Sequence, residues 1–132
     1  MNFLEKQQVI DLHDEVIATV GGEPGMLNEA ALESALAAPQ QRAWYEQAGM
    51  AACAATYAFH VAKAHAFVDG NKRIAVVAVE TFLSVNAAVL EATDDELHAL
   101  VLAIADGTMS RDDADAWFAA RVRESPDEPA AP

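Results

Sequence analysis

The stretch that decides the fold runs from Met50 to Val85 and reads MAACAATYAFHVAKAHAFVDGNKRIAVVAVETFLSV. Alanine and large apolar side chains dominate both of its halves, which predicts two buried helices, over residues 50–64 and 71–85. A short loop between them carries polar residues and a glycine. Helices that are apolar nearly all round lie in the middle of a bundle, so other helices must cover this pair.

Four further helices are predicted around the central two. The first is predicted over 5–20 and ends at Gly21-Gly22. The second is predicted from its cap Asn28 to about Ala38 and ends at Pro39. The fifth and sixth begin at the caps Thr93 and Ser110. Residues 40–49 are predicted to be a connection that Trp44 and Tyr45 pack down. The predicted fold class is therefore all-α, a compact six-helix bundle.

Length and composition fit one small helical domain. The chain has 132 residues, of which 30 are alanine, the best helix former, and residues 40–125 contain no proline. We predict one domain over 1–123 and a disordered, acidic, proline-rich tail over 124–132.

Charge and cysteine content exclude several classes of protein. The formal net charge of −13 disfavours direct nucleic-acid binding and docking on anionic membranes, both of which need many basic contacts. The single cysteine, Cys53, permits no intrachain disulfide and fits a reducing compartment. Without a signal-peptide pattern or a long apolar run, the expected location is cytoplasmic.

The loop and its flanks form the candidate site. Three of the eight basic residues, Lys63, Lys72 and Arg73, lie within eleven positions of one another. Gly70 can adopt a positive φ, and the helix that follows it would present free N–H groups and a positive dipole end. Two cations at that end are unfavourable unless an anion binds, so the pattern predicts a phosphate site.

The other loop residues suit chemistry on a bound phosphate. Asp69 offers a carboxylate oxygen for Mg²⁺, which commonly binds one or two carboxylates together with phosphate oxygens. His65 ends the preceding helix and is a candidate general base. Phe67 is expected to turn into the core and anchor the loop. Each residue alone also has an ordinary structural explanation, such as a helix cap or a surface ion pair.

The nine residues His65–Arg73, HAFVDGNKR, resemble the signature of the Fic/Doc superfamily, and specifically of its Doc (death-on-curing) toxin branch. The general Fic signature is H-P-F-x-[DE]-G-N-G-R-x-x-R, and the Doc branch carries a lysine at the position of Lys72. Further landmarks of the Doc type occur in the same order over about residues 5–122. They include Leu12-His13-Asp14, the Gly21–Gly25 turn, Ala35, Pro39, Phe82-Leu83 and Asn86.

The resemblance implies a toxin of a toxin–antitoxin pair that inhibits translation. It would transfer phosphate from ATP to a hydroxyl of a target protein, by resemblance elongation factor Tu, with Mg²⁺ as cofactor. His65 would be the catalytic base and Asp69 the metal ligand. The nucleotide phosphates would be held by Lys63, Gly70, Asn71, Lys72 and Arg73. The implied partner is a small antitoxin of the Phd type, since the self-inhibitory motif of some Fic proteins is missing.

Three departures from the Fic signature bear on the reaction. Ala66 replaces a proline, Lys72 replaces a glycine, and Val76 stands where Fic enzymes have a second arginine. The last two favour a kinase over an AMP transferase, which remains the alternative. A catalytically silent antitoxin-binding module is an alternative of another class. A metal site of the HD phosphohydrolase type at His13-Asp14 is disfavoured, because no suitable upstream histidine exists.

Overall fold

A computed structural model describes residues 1–124, which form six helices and a small antiparallel ribbon. The helices are α1 (Lys6–Val20), α2 (Glu29–Glu46), α3 (Met50–Ala64), α4 (Asn71–Val85), α5 (Asp94–Ala105) and α6 (Arg111–Ala119). The ribbon strands are β1 (Ala88–Leu90) and β2 (Val122–Glu124). The all-α fold class and the limits of the two central helices are confirmed.

Helix α3 is the centre of the bundle and packs against α2, α4, α5 and α6. Its alanines at 54, 55, 58 and 62 are buried, which allows the neighbouring helix axes to approach closely. Tyr57 is fully buried and lies 4.8 Å from the ring centroid of Phe82 on α4. The two helices that carry the loop are therefore joined to a packed core.

The prediction that Pro39 ends the second helix is wrong. Helix α2 continues through Pro39 to Glu46, and Gln47 ends it in the left-handed conformation with φ 52°. Pro39 is itself buried, so packing of the continuous helix outweighs the backbone hydrogen bond that a proline removes. The longer helix carries Arg42 to Asp115 of α6, where two N–H···O contacts of 2.9 and 3.1 Å join the helices.

The aromatic pair near the end of α2 does not pack down a connection. Trp44 and Tyr45 are both 77% exposed, and they lie on the helix that replaces the expected loop. The predicted caps of the other helices are present. Asn28, Thr93 and Ser110 each accept a hydrogen bond from the backbone N–H three residues later.

The β1–β2 ribbon was not predicted, because three-residue strands carry too little alternation to be recognised. It pairs Ala88 with Glu124, so Glu124 belongs to the folded domain and not to the tail. The remainder of the predicted disordered tail, residues 125–132, lies outside the described residues. Within residues 1–124, every helix is too short or too polar to cross a membrane.

Candidate functional site

The loop between α3 and α4 opens onto a cavity of about 470 Å³. His65 ends α3 in the left-handed conformation with φ 49°, and its side chain is exposed at the cavity. Gly70 precedes α4 with φ 78°, the backbone geometry that favours glycine. The cavity lining includes His65, Asp69, Gly70, Asn71, Lys72 and Arg73. The structure thus brings together every predicted site residue that lies between 65 and 73 except the buried Phe67.

Phe67 is the anchor that was predicted. Its side chain is 2% exposed and stacks on the His13 ring of α1, with 3.8 Å between centroids and 10° between planes. Because the aromatic ring is buried against α1, Phe67 holds in place the backbone that carries the exposed loop residues on either side of it.

The Asn71 side chain braces the loop. Its Oδ1 accepts the Phe67 N–H at 3.0 Å, and its Nδ2 donates to the Phe67 carbonyl at 2.9 Å. The amide group predicted to hold phosphate is therefore engaged with the backbone of its own loop. Asn71 can still offer an anion the second hydrogen of Nδ2 and its main-chain N–H in the first turn of α4.

The Asp69 carboxylate is exposed but fixed in position. Oδ1 accepts the Gly70 N–H at 2.8 Å, and Oδ2 accepts the Glu23 N–H at 3.1 Å. These two backbone hydrogen bonds, that from Glu23 first, lower the pKa of the Asp69 carboxyl below its ordinary value. The group is therefore ionised throughout the neutral range, as a metal ligand must be.

The donor chemistry of this carboxylate fits Mg²⁺ bound together with a nucleotide. Each carboxylate oxygen accepts one hydrogen bond and keeps a further lone pair for a cation. Residues 1–124 contain no group of three or more His, Cys, Asp or Glu side chains suited to holding a metal ion. Mg²⁺ does not need such a group, since it usually binds one or two carboxylates, phosphate oxygens and water.

A connecting segment, the strap (residues 21–28), holds the loop from outside the central pair. Met26 forms an antiparallel bridge with Phe67, Leu27 and Asn28 donate their N–H groups to the Ala66 carbonyl, and Val68 donates to the Gly25 carbonyl. Gly22 of the strap lies against Asp69. A Cβ atom there would come within 2.7 Å of Oδ2, so a side chain at this position requires the carboxylate or the strap to move.

The basic residues separate into two groups. Lys72 and Arg73 are exposed in the first turn of α4, as the phosphate-site prediction requires. Lys63 is placed elsewhere, with its ammonium 5.3 Å from the centroid of the Phe59 ring and beside a second depression that His60 also lines. The structure therefore does not bring Lys63 into the cavity with the other site residues.

Several residues at the site were missed or assigned differently from the sequence. His98 and Leu102 of α5 also line the cavity. Their i, i+4 spacing signals a shared helix face, but it does not tell which helix that face meets. His13 is buried at 1% exposure, with its Nε2 atom 2.7 Å from the Asp69 carbonyl oxygen.

Comparison with known proteins identifies the family of the chain. The sequence model of the Fic/DOC family matches residues 3–83, which include α1, the strap and the whole loop. A protein of Escherichia phage P1 named protein kinase doc is 33% identical over 111 residues, covering 83% of this chain and 87% of that protein. The match extends over most of both chains and is not confined to the loop. This protein belongs to the Fic/Doc family.

Proposed function

We propose that this protein is a Doc-type toxin that transfers the γ-phosphoryl group of ATP to a hydroxyl of a target protein. The observation that carries the proposal is the placement of His65, Asp69, Lys72 and Arg73 around one cavity at the N-terminus of α4. The sequence similarity to a phage protein named as a kinase supports the same reaction class. By the family resemblance the target is elongation factor Tu, and its modification would inhibit translation.

In this reaction the chain supplies a base, an anion site and a metal ligand. His65 takes the proton of the attacking hydroxyl while the new O–P bond forms, and the bond to the β-phosphate breaks to release ADP. Lys72, Arg73 and the free N–H groups of the first turn of α4 hold the phosphates. Asp69 would hold Mg²⁺, which when bound neutralises charge on the phosphate oxygens.

Two features favour phosphoryl transfer over AMP transfer. Lys72 places a charged side chain in the first turn of α4, where AMP-transferring members of the family have a glycine. One turn later Val76 is only 2% exposed, so the position of their second arginine holds a buried apolar residue. Compared with AMP-transferring members of the family, this chain therefore has less free space at its anion site and lacks the contact of the second arginine.

The test is incubation of the purified protein and its target with ATP labelled either at the γ or at the α position. Retention of the γ label on the target supports the kinase, and retention of the α label identifies an AMP transferase instead. The His65→Ala variant is the control and should lose the product by about 100-fold or more, as expected for removal of a general base. Absence of both labels, with growth arrest unchanged in His65→Ala, indicates a silent binding module.

We further propose that an antitoxin of the Phd type binds this toxin in the groove between α1 and α4. The groove measures about 240 Å³ and is lined by Leu12, Glu15, Val16, Thr19, Val20, Arg73 and Val77. An amphipathic helix fits such an apolar groove, and Arg73 connects the groove with the phosphate site. Replacement of the exposed groove residue Val20 by arginine should abolish neutralisation by the co-expressed antitoxin, whereas replacement of Trp44, exposed on α2 outside the groove, by alanine should not.

A further inference from the structure

We propose that His13 is a positioning residue for Asp69, acting through the peptide group that joins Asp69 to Gly70. This inference rests on the proposed function for its consequence in metal binding, but the structural step can be tested without nucleotide. His13 is on α1, 56 positions before Asp69, and has no place in the nine-residue loop pattern.

The first step of the inference is the tautomer of His13. Its Nε2 atom lies 2.7 Å from the Asp69 carbonyl oxygen, and a carbonyl oxygen can only accept a hydrogen bond. Nε2 must therefore carry the proton and donate it. The ring is 1% exposed and stacks on Phe67, so both its plane and its position are fixed by packing. The Nε2–H donor is therefore fixed within hydrogen-bond distance of the Asp69 carbonyl oxygen.

The second step follows from the geometry of one peptide unit. The Asp69 carbonyl and the Gly70 N–H belong to the same rigid plane, so a bond that fixes the carbonyl also fixes the direction of the N–H. That N–H donates to Oδ1 of Asp69 at 2.8 Å. The hydrogen bond from His13 thereby orients the donor that holds the catalytic-loop carboxylate.

The third step concerns rotation of the Asp69–Gly70 peptide plane, which the hydrogen bond from His13 opposes. Gly70 has φ 78°, and a glycine at that position allows the preceding peptide plane to rotate at low cost. Rotation would turn the Gly70 N–H away from Oδ1 and leave the carboxylate with only the Glu23 N–H. His13 opposes the rotation, because turning the peptide plane would break the 2.7 Å hydrogen bond from Nε2 to the Asp69 carbonyl.

Two matched variants separate the donor from the ring. His13→Phe keeps a flat ring against Phe67 but removes the N–H, whereas His13→Gln removes the ring and keeps an N–H donor of similar reach. Thermal unfolding of both variants measures what each loses in packing. If His13→Phe does not fold, His13→Met provides a second variant that fills the space without a donor.

The first measurement uses the nucleotide-free protein. Histidine ¹⁵N chemical shifts should report the Nε2–H tautomer, and residual dipolar couplings should show a reoriented Gly70 N–H in His13→Phe but not in His13→Gln. The second measurement is an electron paramagnetic resonance titration with Mn²⁺ and a non-hydrolysable ATP analogue. The Kd of Mn²⁺ should rise about ten-fold or more in His13→Phe, as for other residues that orient a ligand, and should largely be retained in His13→Gln.

The inference is overturned if the Gly70 N–H keeps its orientation in His13→Phe, or if both variants lose Mn²⁺ affinity equally, which would assign the effect to packing. If the wild-type chain binds no Mn²⁺ with the ATP analogue, the proposed function fails. The dipolar couplings then still decide whether His13 orients the peptide.

Discussion

Replacement of Gly22 by alanine tests how strictly the strap controls the Asp69 carboxylate. Gly22 has φ 117°, and an added Cβ would lie 2.7 Å from Oδ2 of Asp69, closer than real Cβ contacts allow. Either the strap or the carboxylate must withdraw. The bond at risk is the one from the Glu23 N–H to Oδ2, because Oδ2 is the oxygen that the added Cβ meets, whereas Oδ1 accepts from Gly70.

Gly21 provides the matched control. It also has a positive φ, 93°, but an added Cβ there would meet nothing within 4 Å. Both substitutions force a side chain into backbone geometry that favours glycine, at a cost of about 1–3 kcal/mol each in the free energy of unfolding. Only Gly22→Ala adds a collision with the carboxylate of Asp69, the proposed metal ligand.

The assay is the rate of γ-label transfer as a function of Mg²⁺ concentration, with the free energy of unfolding measured by urea titration. Gly22→Ala should raise the Mg²⁺ concentration for half-maximal rate about ten-fold or more, as displacement of a ligand's support does elsewhere. Gly21→Ala should leave it unchanged while losing similar stability. Equal Mg²⁺ requirements in the two variants would refute the role given to Gly22.

Three further predictions concern stability and phosphate binding. Phe67→Ala should lower the free energy of unfolding by about 3–5 kcal/mol, because the ring is 2% exposed; urea titration measures it, and a loss below 1 kcal/mol would contradict the anchor. Burial raises the pKa of Tyr57 from its ordinary value of 10.0 to about 12, so the native state keeps a proton that the unfolded chain releases. The contribution of this phenol to stability is therefore complete below pH 10 and is lost as the pH rises towards 12. Thermal unfolding against pH should show this decline in the wild-type chain and a flatter profile in Tyr57→Phe. Lys72→Gly should weaken transfer of the γ label, since it removes a cation from the phosphate site; unchanged transfer of both the γ and the α label would remove Lys72 from the proposed chemistry.

The helical fold could be predicted because its strongest signals are local. The apolar runs of α3 and α4 and the capping boxes at Thr93 and Ser110 depend on residues a few positions apart. The continuation of α2 through Pro39 could not be predicted, because the local preference of proline opposes it. What decides it is burial against α3 and the reach of Arg42 to Asp115, both contacts between distant segments.

The distinction between local signals and contacts between distant segments also applies to the candidate site. The contiguous residues 65–73 were recognised as a unit, and the structure gathers all but the buried Phe67 around the cavity. Asn71 stays a predicted phosphate ligand, but its residue type alone does not reveal that Oδ1 and one Nδ2 hydrogen bind the Phe67 backbone. The part played by His13 depends on an approach between residues 56 positions apart, and no spacing rule in the sequence reveals it.

The anchoring of the loop through main-chain atoms affects how degenerate relatives can be recognised in genomes. His13 and the strap bind carbonyl and N–H groups of the loop, so these bonds do not depend on the exposed side chain of Val68, whereas the buried Ala66 leaves no room for a larger side chain. A related sequence can therefore differ at position 68 and keep the same main-chain hydrogen bonds of the loop. Conversely, on the roles proposed for His13 and Gly22, a sequence that keeps all nine loop residues but lacks either of these two is expected to bind Mg²⁺ weakly, although a search for the nine-residue pattern alone would accept it.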